Sequence, residues 1–159
     1  MGRGPLIIAF DGTPAAERAI RDAAALLGRR PAVVAVVWKA GLAFELMELP
    51  SATIGLPPAP IDVRTAVEID EHNYESARNL ARQGAELARE LGLEADPLVV
   101  AEDPETPIAE TIVSLAKERE AQAVVVGPHR HGPVLLGSIS RDVVRHAPCP
   151  IVVASRNGA

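Results

Sequence analysis

Residues 123–153 read AVVVGPHRHGPVLLGSISRDVVRHAPCPIVV, and the order of apolar runs, glycines and prolines in them decides the fold. Val124, Val125 and Val126 form an unbroken β-branched run, as expected of a parallel strand covered on both faces. Gly127 ends it. Pro128, His129, Arg130, His131, Gly132 and Pro133 follow, too rich in proline and glycine for helix or sheet, so this segment is a loop at the strand's carboxyl end. A helix is predicted to begin at Gly137, Ser138 and Ser140, which turns unpaired backbone N–H groups and the positive end of a helix dipole towards that loop. Such a corner attracts anions, phosphates above all. A last strand, residues 151–154, starts at Ile151 and is entered through Pro148 and Pro150, which suits an edge position.

The same alternation fills the rest of the chain. Residues 6–10 are an apolar run ending at Asp11 and Gly12, the first strand. Thr13 and Pro14 make an N-cap with proline at the first helical position, where its missing N–H costs nothing. Ala16, Ala19, Ile20, Ala23, Leu26 and Leu27 then recur three or four apart until Gly28 stops the helix. Residues 32–38 supply the second strand, and strand, helix, strand in that order requires a crossover and parallel pairing. Helical period returns at Ile69 and continues through Ala77, Leu80, Ala81, Gly84, Leu87, Ala88 and Leu91 to Gly92. Residues 98–101 read as a third strand. Thr106 and Pro107 repeat the cap-and-proline device before a helix that buries Ile108, Ile112, Leu115 and Ala116. Five strands alternating with four helices define an open, doubly wound α/β sheet.

Between about 39 and 65 the pattern lapses. Pro50, Pro57, Pro58 and Pro60 predict a long loop, yet Leu42, Phe44, Leu46, Met47, Leu49 and Ile54 make it apolar for an exposed connection. Either it packs locally with no ligand role, or it serves as a flap over the pocket or a contact for a protein partner.

A chain of 159 residues with 48% hydrophobic content suits a single domain, residues 1–159, with one substantial core. Sixteen Lys and Arg against 21 Asp and Glu leave a net charge of -5, so no global basic field draws nucleic acid. No apolar stretch approaches the roughly 20 residues that span a bilayer, and the amino terminus has neither a signal-peptide core nor a myristoylation signal. One cysteine, Cys149, excludes an internal disulfide and suits a reducing compartment. A cytoplasmic location is expected.

Three passages, IAFDGTPAAERAI, EDPETPIAETIVSLAKE and VVVGPHRHGPVLLGSISRDVVRHAPCPIVVA, together resemble the universal stress protein family, and the resemblance spans nearly the whole chain outside the proline-rich loop. It implies a Rossmann-like sheet of the adenine nucleotide alpha hydrolase type, ordered 3-2-1-4-5, in which the ends of strands one and four flank one crevice. It also implies a homodimer paired through the edge strand from Ile151 to Ala154, a role in regulating the stress response, and ATP or AMP as the ligand, with Mg2+ only alongside nucleotide. Members that bind ATP carry Gly, two residues, Gly, nine residues, Gly and Ser or Thr. Carried over, Gly127, Gly137, Ser138 and Ser140 match, Asp11 becomes the acid near the nucleoside, and Val36 or Val37 lies along the adenine by backbone contact. The candidate nucleotide-binding residues are therefore Asp11, Val37, Val126, Gly127, His129, Arg130, Gly137, Ser138, Ile139 and Ser140.

Two departures stand out. Arg130 replaces the family's second glycine, and six residues rather than nine separate it from Gly137. Arg130 either pairs with phosphate as a planar fork or fills the site. The second case describes a non-nucleotide member that acts as a protein-interaction module. Asp11 before glycine is also ordinary turn chemistry, and Ser138 has an adequate role as a helix cap. His129, His131 and His146 lack a supporting carboxylate or cysteine and make a weak metal-ligand set. Cys149 and Trp38 read as packing. No nucleophile elbow such as G-x-S-x-G is present, so catalysis is not expected.

Overall fold

The computed structural model describes residues 3–48, 62–128 and 138–154, the side chains of 46–48 excepted. Its strands are β1 (Leu6–Ala9), β2 (Pro31–Lys39), β3 (Glu94–Glu102), β4 (Ala123–Val126) and β5 (Ile151–Val153). They form one sheet in the order β3-β2-β1-β4-β5, and every pairing is parallel. The helices are α1 (Pro14–Leu27), α2 (Leu42–Glu48), α3 (Val63–Glu90), α4 (Ile108–Glu118) and α5 (Ser138–His146). This is the doubly wound architecture expected from the alternation of apolar runs.

Strand periodicity divides the core in two. Leu6, Ile8, Val34, Val36 and Val125 pack with the alanine-rich faces of α1 and α3. Ile7, Val33, Ala35, Val124 and Val126 pack on the other side with Ile112, Ala116 and Val143 of α4 and α5. Successive side chains of a strand point to opposite faces, so uninterrupted valine and isoleucine runs serve both layers at once. The central position of β1 and β4 leaves Ile7, Ile8, Val124 and Val125 wholly inaccessible.

Small residues set how closely α3 approaches the sheet. Ala77, Ala81, Gly84, Ala85 and Ala88 form its buried stripe. At Gly84 a Cβ would lie 2.8 Å from both Phe10 Cδ1 and Val34 Cγ1. The helix is seated where only glycine fits.

Local signals at the helix starts mostly behave as their chemistry dictates. Ala16 N donates to Thr13 Oγ1 at 3.2 Å, with Pro14 opening α1. The cap expected at Thr106 does not form. Pro107 occupies the cap position of α4 without a side-chain bond, because the Thr106 hydroxyl instead donates to Asp103 Oδ2 at 2.9 Å. Asp103 Oδ1 also accepts from the backbone N–H groups of Glu105 and Thr106, both at 3.0 Å. A turn carboxylate that gathers local donors competes directly with the helix for the threonine hydroxyl.

The Thr106 hydroxyl and N–H hold the Asp103 carboxyl below its usual range. A depressed acid stabilises the fold above its unfolded pKa, about 3.9, and that contribution disappears as pH falls through the lower folded value. Asp103→Ala is therefore expected to melt below the wild type at neutral pH and to converge with it as the pH falls through the lowered folded pKa. Thermal melts across that range decide the matter; parallel curves would mean that the turn carboxylate is not coupled to folding.

Three elements differ from their sequence reading. The loop predicted over 39–65 contains α2, because prolines begin only at Pro50 and the LAFELME run ahead of them favours helix. Gly41, at φ 78, makes the turn that starts it. At the other end Asp62 caps α3 by accepting from Thr65 N at 2.8 Å, so this helix begins before Ile69. Residues 49–61 of the predicted loop lie outside the described residues. β3 is longer than residues 98–101 and includes Pro97, which the sheet tolerates because β3 is an edge strand.

Candidate functional site

β1 and β4 are neighbours, and the connections that leave them wind to opposite sides of the sheet, α1 to one face and α5 to the other. A crevice opens at this reversal, beyond the carboxyl ends of the strands. It holds a cavity of about 560 Å³ lined by the strand ends, the first turns of α1 and α5, and the middle of α3.

The walls are fixed by few contacts. Gly127 follows β4, and a Cβ there would lie 3.2 Å from the carbonyl carbon and oxygen of Ala15 in the first turn of α1. Backbone therefore meets backbone at the base of the crevice. Ser140, 5% exposed, donates from Oγ to the Gly127 carbonyl at 3.1 Å and pins the first turn of α5 to the end of β4. Two helix N-termini face the same space, so their unpaired N–H groups and dipoles favour an anion there.

Asp11 follows β1 by two residues. Its Oδ1 accepts from Thr13 N at 3.0 Å and from Thr13 Oγ1 at 2.6 Å, a turn that orients the carboxylate over the start of α1. Oδ2 has no hydrogen-bond partner among the described residues. Gly12, at φ +77, completes this turn against Leu80.

β2 outruns β1 at this end. Their register finishes at Ala9 opposite Ala35, and Phe10 N donates to the Ala35 carbonyl at 2.9 Å. In a parallel strand the N–H and C=O of one residue point to the same side, and alternate residues point to the same neighbour. Val37 therefore presents both groups towards β1, past the end of that strand. Val37 lines the cavity.

Of the candidate residues, Asp11, Val37, Val126, Gly127, Ile139 and Ser140 line this one cavity. Ser138 is the first residue of α5 and is not in the wall. His129, Arg130 and Gly137 lie outside the described residues. Sequence reading missed Lys39, Asn73 and Ser76, which are also in the wall. Asn73, Ser76, Ala77 and Leu80 sit three or four apart on α3, a spacing that signals one face but not what that face meets. Lys39 gave no signal at all. Its Nζ donates to the carbonyls of Asp103, at 3.2 Å, and Thr106, tying the β3–α4 turn to the end of β2.

Trp38 packs against the core layer of α1 and α3, as its place at the end of a core strand suggests, and, half-buried, also forms part of the wall. Cys149 packs beside the α4 and α5 layer, where burial pushes its thiol pKa up and keeps it a poor nucleophile.

The geometry defines an open, doubly wound α/β domain with a large cavity at the topological switch point. The chain belongs to the universal stress protein family, whose profile matches residues 56–155. In structure it is similar to a universal stress protein from Archaeoglobus fulgidus, at 21% identity over 96% of this chain and 98% of that one, with a TM-score of 0.62. A structure of the universal stress protein from Archaeoglobus fulgidus in complex with dAMP compares at 22% identity, 98% and 100% coverage and a TM-score of 0.60. A universal stress protein family protein from Arabidopsis thaliana with AMP bound compares at 17% identity, 98% and 93% coverage and a TM-score of 0.62. No curated protein matches the chain in sequence. Among the described residues no helix is long and apolar enough to cross a membrane.

Proposed function

We propose that this protein binds an adenine nucleotide, AMP or ATP, in the switch-point cavity, and acts as a cytoplasmic, homodimeric regulatory module in the stress response rather than as an enzyme. The observation that carries the reading is the free edge of Val37 beside two helix N-termini in one cavity. A backbone N–H and C=O pair suits the donor and acceptor edge of adenine, and the N-termini of α1 and α5 suit phosphate. The volume, about 560 Å³, falls within the range of small-molecule sites, roughly 300–1,000 Å³. Similar proteins hold dAMP or AMP, which favours a monophosphate as the first ligand to try. Mg2+ would enter only with a polyphosphate.

The free Oδ2 of Asp11 is placed to accept from ribose hydroxyls. Asp11→Asn keeps the Oδ1 acceptor and hence the turn, so it isolates the charge. Its Kd for AMP should rise about tenfold, with a smaller rise for dAMP, which has one hydroxyl fewer to lose. Calorimetric titration checks this, and an unchanged AMP affinity would remove Asp11 from the site.

Dimerisation is proposed through β5, the outer strand of the sheet, whose unpaired edge a second copy would cover. The interaction-module reading draws on Arg130 and the shortened loop in the sequence. Absent or millimolar affinity for AMP, ADP and ATP alike would favour it.

A further inference from the structure

The chain contains four aromatic residues, one Trp, one Tyr and two Phe. Three of them, Trp38, Phe44 and Tyr74, line a second cavity of about 290 Å³ between the end of β2, α2 and the first half of α3. Among the described residues the rest of its wall is Val67, Asp70 and Glu71. Val67, Asp70, Glu71 and Tyr74 stand at i, i+3, i+4 and i+7 on a single helix face, so α3 presents two carboxylates and one ring to the same space. Trp38 and Tyr74 stand 5.0 Å apart between centroids at 58°.

We propose that this cavity binds a small organic cation, an alkylated ammonium of the quaternary type. Aromatic faces carry negative quadrupole density, and a cage of two or three rings with nearby carboxylates attracts a soft, weakly hydrated cation. Among the described residues the carboxylates lack a cationic partner. Asp70 accepts from Gly41 N through Oδ1 at 3.0 Å and Oδ2 at 3.1 Å, which seats α2 on α3 but leaves its charge uncompensated. Glu71 has no hydrogen bond or ion pair among the described residues. The connecting stretch 49–61, LPSATIGLPPAPI, contains no Lys, Arg or His in sequence. Arg78 lies 5.9 Å from the Tyr74 centroid, but its guanidinium pairs with Glu75 at 3.0 Å and it is not in the wall.

Other occupants fit less well. An anion meets two carboxylates, and a hard divalent ion wants six or more oxygens rather than rings. The modest volume suits a compact head group. Trp38 also lines the larger cavity, so the two sites share a wall.

The test is calorimetric titration of the full chain with choline chloride, set against its neutral isostere 3,3-dimethylbutanol and against sodium chloride of equal ionic strength. Saturable choline binding is expected, about tenfold tighter than the isostere. Glu71→Gln, an exposed change that leaves the fold intact, should weaken choline about fivefold while AMP affinity stays as in the wild type. Tyr74→Ala should weaken it further. No saturable binding, equal affinity for the isostere, or indifference to Glu71→Gln overturns the proposal.

Discussion

Gly84→Leu is expected to lower the free energy of unfolding by about 3 kcal/mol, seen as a fall in the urea midpoint at unchanged slope. The first added carbon already lies 2.8 Å from Phe10 and from Val34, the latter completely inaccessible. Neither neighbour can swing into solvent, so α3 has to move away from the sheet. Leucine gains up to about 1 kcal/mol in helix propensity over glycine, and the contact penalty outweighs it. Ala77 and Leu80 lie on the same helix and line the larger cavity, so its shape changes as α3 moves. An unchanged or raised midpoint would show that the α3–sheet spacing is not set at Gly84.

Gly127→Val should act mainly on ligand binding. The new Cβ abuts the Ala15 carbonyl at 3.2 Å, and the two methyl groups beyond it occupy space beside the first turns of α1 and α5. AMP affinity is expected to fall about a hundredfold, which corresponds to about 2.7 kcal/mol, with a stability loss of about 1–2 kcal/mol. Gly127→Ala should be intermediate. Calorimetry paired with a thermal melt separates the two effects, and wild-type affinity in a folded valine variant would place the nucleotide elsewhere.

Much of this fold could be read directly from residue type. Val124 to Val126 and the run from Leu6 announced buried parallel strands because β-branched side chains covered on both faces need no polar alternation. Thr13 with Pro14 announced α1 through local chemistry alone. The strand order could not be read that way, since it depends on which faces meet, and it came with the family resemblance. α2 was hidden by the prolines that follow it, although its own seven residues are good helix formers. Thr106 shows the limit of a local rule: the same Thr-Pro pair that caps α1 yields its hydroxyl to Asp103 before α4.

The site divides in the same manner. Asp11, Gly127 and Ser140 stood out as residue types, but their roles emerge only from partners distant in sequence. Gly127 is glycine because Ala15 lies against it, and Ser140 is a clamp on Gly127 rather than a free hydroxyl. Lys39 and the α3 face of Asn73 and Ser76 reach the cavity through tertiary packing, for which a single sequence carries no pattern.

Adenine nucleotide is proposed to sit at the reversal between β1 and β4, against the free edge of β2. Amide shifts followed by two-dimensional NMR during an AMP titration test it most directly. Saturable shifts are expected at Val37, Gly127, Ile139 and Ser140, with β3 and the outer face of α4 unmoved. Saturation with shifts confined to other elements, or no saturable shift at millimolar AMP, would contradict it.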